Sequence, residues 1–122
     1  MHTQHIANAP VHERGGQSSY LLLARGQFGS QHLAVTWVDC PPGSSQPTHQ
    51  HEAQEQVYVI TQGRGVMTLG DEERELVVGT LVFVPPGTPH TIRNDSSEPM
   101  TYVSATSPPF DGAAIGSLYR ER

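Results

Sequence analysis

The sequence predicts an all-β domain, a sandwich or a barrel. Three observations carry this. Short β-like runs recur every 8–12 residues, separated by Gly, Pro, Asn and Asp. No stretch between residues 20 and 106 holds a 3.6-residue apolar period free of Gly and Pro. The chain of 122 residues has 12 Gly and 10 Pro, enough to punctuate many turns but too short for a second core.

The runs follow in order. Residues 1–16 are polar and carry Pro10, Gly15 and Gly16. They are expected to form a flexible arm, or a strand that orders only against a partner. The barrel domain is assigned to 17–107. Its expected strands are Tyr20–Ala24, His32–Asp39, Thr48–His51, Gln56–Thr61, Gly65–Leu69, Glu73–Val78, Thr80–Val84, His90–Arg93 and Met100–Thr106. Cys40-Pro41-Pro42-Gly43 ends one run. Gly70-Asp71 fits a tight hairpin, and Asn94 to Pro99 a looser connection opened by Asn94. A tail, 108–122, begins at Pro108-Pro109, with a short helix expected near Ala113–Arg120.

Composition removes several classes of function. All seven basic residues are Arg, so Schiff-base chemistry and a lysine phosphate loop are absent. Net charge is −5 with no basic cluster, which argues against nucleic acid. The single cysteine, Cys40, excludes an internal disulfide and a Cys-pair zinc site. The apolar run from Leu76 to Val84 contains Gly79 and Thr80 and is too short for a membrane helix. The first residues lack the pattern of a signal peptide, so a cytoplasmic location is expected.

The seven His are distributed unevenly. His49 and His51 stand two apart, a spacing that puts side chains on one face of a strand. His90 follows the rigid turn Pro85-Pro86-Gly87, which would hold it reproducibly. Imidazoles so placed suit Zn, Cu, Fe or Ni. His2, His5, His12 and His32 have no such setting and are expected in loops.

These segments resemble the two motifs of the cupin superfamily. The second motif, Gly-x5-Pro-x-Gly-x2-His-x3-Asn, is met at Gly79, Pro85, Gly87, His90 and Asn94. The first is met at Gly43, His49, His51 and Gly63. The resemblance spans residues 43–94 directly and is similar to small single-domain members. It implies an antiparallel double-stranded β-helix, or jelly-roll barrel, around one divalent transition metal (Fe, Mn, Ni, Zn or Cu). His49, His51, His90 and one residue after the His pair would hold it.

That fourth position departs from the motif. Counting back from Gly63 reaches Gln56, where the family carries Glu; Glu55 is one residue earlier. A strand already regular at residue 55 would turn Gln56 to the metal. A bulge over 52–56 would turn Glu55 inward instead. With Gln56 the centre keeps a charge of +2; with Glu55 it drops to +1.

Tyr58 and Ile92 share faces with Gln56 and His90 and are candidates for a substrate pocket. Trp37, Phe83, Met67 and Tyr102 are expected in the core or an interface. The runs Gln56–Ile60 and Leu81–Val84 are apolar on both faces, so one face needs a second sheet, a terminal segment or another copy; a homodimer is expected. The function implied is a metal-dependent enzyme on a small organic molecule, of the dioxygenase type, with isomerase or lyase chemistry open. The other reading is a non-catalytic binding or sensing protein.

Overall fold

The computed structural model describes residues 1–110 and 119–120. Nine strands form two antiparallel sheets: β1 (Val11–Arg14), β2 (Gln17–Leu23), β3 (Ala34–Cys40), β4 (Glu55–Gln62), β5 (Arg64–Leu69), β6 (Glu72–Val77), β7 (Leu81–Val84), β8 (His90–Arg93) and β9 (Met100–Ser107). The larger sheet runs β1-β2-β3-β9-β4-β7 and the smaller β6-β5-β8. Among the described residues the only helical segments are single turns at Ile6–Asn8 and Gln27–Gly29. The expected helix near Ala113–Arg120 lies largely outside the described residues. No described helix is long and apolar enough to cross a membrane.

Alternation along the strands builds the core. On β4, Gln56, Tyr58 and Ile60 are buried, while Val57 and Val59 are half-buried on the opposite face. Ile60, Met67, Leu76, Val84, Ile92 and Met100 fill the space between the sheets. Gly70-Asp71 makes a two-residue turn between Leu69 and Glu72, as the dipeptide predicts, with Gly70 at φ +59°.

Two segments differ from expectation. Thr48–His51 is not a strand. Pro41, Pro42 and Pro47 precede it, and residues 45–49 follow the smaller sheet irregularly, through the isolated bridges of Ser45 with Arg93 and His49 with His90 and through Gln46 N donating to Ile92 O at 3.3 Å. Residues 11–14, expected within a flexible or partner-bound arm, pair with β2 of the same chain through a Gly15-Gly16 turn. Gly15 has φ +63°, and a Cβ there would lie 1.8 Å from the Ser45 carbonyl oxygen. Only glycine lets this hairpin dock against the segment leading to His49.

Asn94 is fully buried and joins the two motif segments. Its Nδ2 donates to the carbonyls of Cys40 (2.9 Å) and Glu98 (2.7 Å). Its Oδ1 accepts from Ser96 N and Ser96 Oγ. It therefore opens the 94–99 turn, as expected, and also ties that turn to the end of β3.

Candidate metal centre and its cavity

His49, His51 and His90 converge. One ring nitrogen from each lies within 4.8 Å of the others. Ring centroids are 4.2 Å apart for His49 and His90, 5.2 Å for His49 and His51, and 5.5 Å for His51 and His90. Backbone pairing sets the closest of these. His49 N donates to His90 O at 3.0 Å, and His90 N donates to His49 O at 2.8 Å. His51 is anchored to the Pro-Pro-Gly turn, since Gly87 N donates to His51 O at 2.7 Å. The His pair therefore meets His90 through an irregular segment stitched to β8, not through strand geometry.

Two imidazoles have a fixed tautomer. His49 Nδ1 lies 3.0 Å from Pro47 O, and His90 Nδ1 lies 2.9 Å from Thr88 O. A carbonyl only accepts, so each Nδ1 carries the proton and each Nε2 keeps its lone pair. His90 Nε2 is buried with no protein partner. Burial holds all three His below the ordinary imidazole pKa. His51 falls to about 4, through burial and then through His49, His90 and Arg14. Neutral imidazoles with free Nε2 atoms are what a divalent ion requires.

Gln56 is buried, and its Nε2 donates to Thr106 Oγ1 at 2.9 Å. Its Oε1 is buried without a partner. Glu55 is exposed and starts the regular pairing of β4 with β9 opposite Ser107. The strand is thus regular from residue 55, which puts the amide inside and the carboxylate outside. Two orphaned buried acceptors, His90 Nε2 and Gln56 Oε1, fit a cation.

A cavity of about 320 Å³ lies beside the His cluster. Tyr58 lines it, with Gln56, His49 and His51. Ile92 does not; it is fully buried in the core, and its carbonyl accepts from Gln17 Nε2. Met67 belongs to the core, Trp37 and Phe83 lie on the outer face of the larger sheet, and Tyr102 both packs in the core and lines the cavity. Tyr58 and Tyr102 stack at 4.6 Å, and burial raises both phenols far above their usual pKa, so they stay protonated. Cys40 is buried and pushed up to about 12 by burial and Asp39, which makes it an inert thiol.

Sequence reasoning missed part of the wall. His12, expected in a loop, lines the cavity with a buried, unpartnered Nε2. Arg14, Gln17, Gln46 and Phe110 line it as well. The signal for the first three was the Gly15-Gly16 turn flanked by alternating residues, a hairpin pattern that puts His12, Arg14 and Gln17 on one face. Phe110 had no such signal; it meets His51 with rings 4.8 Å apart.

Comparison with known proteins agrees with this architecture. Residues 36–106 match the model of the cupin domain family Cupin_2. An uncharacterized Methanocaldococcus jannaschii protein, MJ1618, is 39% identical over 70 residues, 57% of this chain and 56% of that protein. The chain thus spans little more than half of that relative's length. An oxalate-binding protein of Thermotoga maritima is 30% identical over 83 residues, 68% of this chain and 69% of that one. A crystal structure from Thermotoga maritima, described as a predicted oxalate decarboxylase, superposes with a TM-score of 0.78 at 21% identity, over 88% of this chain and 99% of the other; this likeness bears on the fold alone. With the family model covering more than half of the chain, the protein belongs to the cupin domain family.

Proposed function

We propose that the chain is a metal-dependent enzyme acting on a small organic molecule in the cavity beside its three His. The observation that carries this reading is the convergence of three neutral imidazoles beside a cavity whose lining includes Gln56, with a buried, unpartnered amide oxygen. His49, His51, His90 and Gln56 would hold one divalent transition metal of the Fe, Mn, Ni, Zn or Cu series. When bound, such a metal supplies Lewis-acid or redox chemistry at a charge of +2 undiminished by any protein carboxylate ligand.

The protein's own groups do the rest. The Pro47 and Thr88 carbonyls hold His49 and His90 in the ligating tautomer. Tyr58 and Leu21, with other apolar and aromatic residues, exclude water from the bound molecule. Gln17 and Gln46 line the cavity, and each keeps a buried amide oxygen free to accept from a ligand hydroxyl. Among the described residues no carboxylate lines the cavity. With no Glu or Asp base among the described lining residues, a dioxygenase-type reaction is the reading preferred here over isomerase or lyase chemistry.

The same lack of a carboxylate base supports a second reading, a non-catalytic binding protein, and the Thermotoga relative is named for binding oxalate. Two measurements separate them. Elemental analysis of purified protein should find one transition metal per chain, and an oxygen electrode should record uptake with a β-diketone or flavonol. Metal without oxygen uptake moves the assignment to binding; a chain that takes up no metal sinks the metal-based version of both.

The molecule that does this work is proposed to be a homodimer. Two apolar rows cross the outer face of the larger sheet, Trp37–Val103–Val59–Leu81 and Val35–Ala105–Val57–Phe83. Leu81 and Phe83 are 56% and 49% exposed. A second copy laid on this face would bury both rows. Light scattering on a sizing column should give twice the chain mass, and Phe83→Glu should give monomer. A wild-type monomer at micromolar concentration overturns the dimer.

A further inference from the structure

The β1–β2 hairpin lies outside the residues matched by the family model, yet it supplies part of the cavity wall. On β1 the side chains of His12 and Arg14 share one face, opposite Ser19 and Gln17 of β2, and all four line the cavity. Arg14 is exposed, which puts it at the opening. Glu13 points to the other face, where it pairs with Arg120 at 3.0 Å. Among the described residues no carboxylate pairs with Arg14, whereas Arg64, Arg74, Arg93 and Arg120 each have an acidic partner.

The placement of Arg14 is built in. Gln17 is buried and anchors the hairpin to the barrel by donating to Ile92 O at 3.1 Å. Ser45 N donates to Gly15 O at 3.0 Å, next to Arg14 in the chain. Among the described residues, then, Arg14 stands without an acidic partner at a cavity lined by no carboxylate. On the reading above, the same cavity also holds a +2 ion with four neutral ligands. Positive charge on both sides of a mostly apolar space favours a negative ligand.

We infer that Arg14 forms an anion subsite at the mouth of the cavity and selects small organic ligands bearing a carboxylate. A guanidinium can take both carboxylate oxygens through parallel N–H donors, which a lysine cannot reproduce. This specificity device sits on the chain's own N-terminal hairpin. It deepens the proposed function by naming the ligand class, but the positive subsite does not need the metal in order to be measured.

The test is calorimetric titration with malonate and its neutral counterpart malonamide, at fixed low ionic strength, on metal-free protein and on protein loaded with Mn(II). Wild type should bind malonate at least tenfold more tightly than malonamide. Arg14→Gln should weaken malonate at least tenfold and leave malonamide unchanged, while Arg14→Lys should recover part of the loss. Arg74→Gln, on the distant β6 hairpin, should match wild type and so exclude a general charge effect. Arg14→Gln should take up as much metal as wild type, because Arg14 is not a ligand. Equal malonate affinity in wild type and Arg14→Gln, in both forms, overturns the subsite, and so does a wild type that binds no malonate in either form. Failure to take up Mn(II) or any other transition metal would sink the metal reading alone; an Arg14-dependent affinity in the metal-free protein would still establish the subsite.

Discussion

In the proposed ligand set, Gln56 is the residue that leaves the centre at +2. Its amide oxygen is buried and unpartnered, whereas Glu55 is exposed on the opposite face of β4. Gln56→Glu should tighten divalent-metal binding by about tenfold or more, because a carboxylate replaces a neutral ligand a few ångströms from the ion. Glu55→Gln should leave affinity unchanged. Competition against a chelating dye reads both, and an effect of the Glu55 change alone would reverse the assignment. Asn94 acts on stability instead. Its side chain makes two donations and accepts twice, all in a fully buried position. Asn94→Ala should cost about 2–3 kcal/mol in urea unfolding, since the Cys40 carbonyl and the 94–99 turn lose their partners. A cost under about 0.5 kcal/mol would mean that water replaces the amide there.

At the scale of the element, turns mattered as much as strands. Strands β2 to β9 were legible, because period-2 alternation and Gly or Pro punctuation are local signals. The segment 48–51 was not, because the i, i+2 spacing of His49 and His51 mimics a strand. Flanking prolines and the bridge to His90 decide its path instead. Gly63 shows how a motif glycine acts through the backbone. It has φ +70°, and a Cβ there would lie 2.2 Å from Pro99 O. Gly63→Ala should therefore cost on the order of 2 kcal/mol or more, as strain and backbone displacement add. A thermal midpoint equal to wild type would show that the 99–100 segment yields freely.

For the whole molecule, the site couples stability to pH. His49, His51 and His90 hold their protons more weakly when folded than when unfolded. The unfolded chain therefore takes up more protons as pH falls below about 6.5. The stabilisation is complete above that value and is lost as pH falls through the folded values, which reach about 4 at His51. In chelator-treated protein the thermal midpoint should drop between about pH 6.5 and 4. Replacing His51 with Asn should flatten part of that slope, and an unchanged slope would place the acid sensitivity elsewhere. Bound metal competes with protons for the same nitrogens, so it should shift the drop to lower pH.

The sequence by itself determined the all-β class, the two motifs and the three His that meet, because alternation, turn chemistry and residue spacing are written locally. For the fourth position it offered two neighbours, Gln56 and Glu55, without excluding that neither is a ligand. Tertiary structure alone decided between their faces, since the pairing of β4 with β9 begins at residue 55. It alone brought His12 and Arg14 to the cavity, through a hairpin whose docking depends on a glycine meeting the Ser45 carbonyl 30 residues later in the chain. A local pattern reveals which face a side chain occupies; what that face meets depends on distant strands.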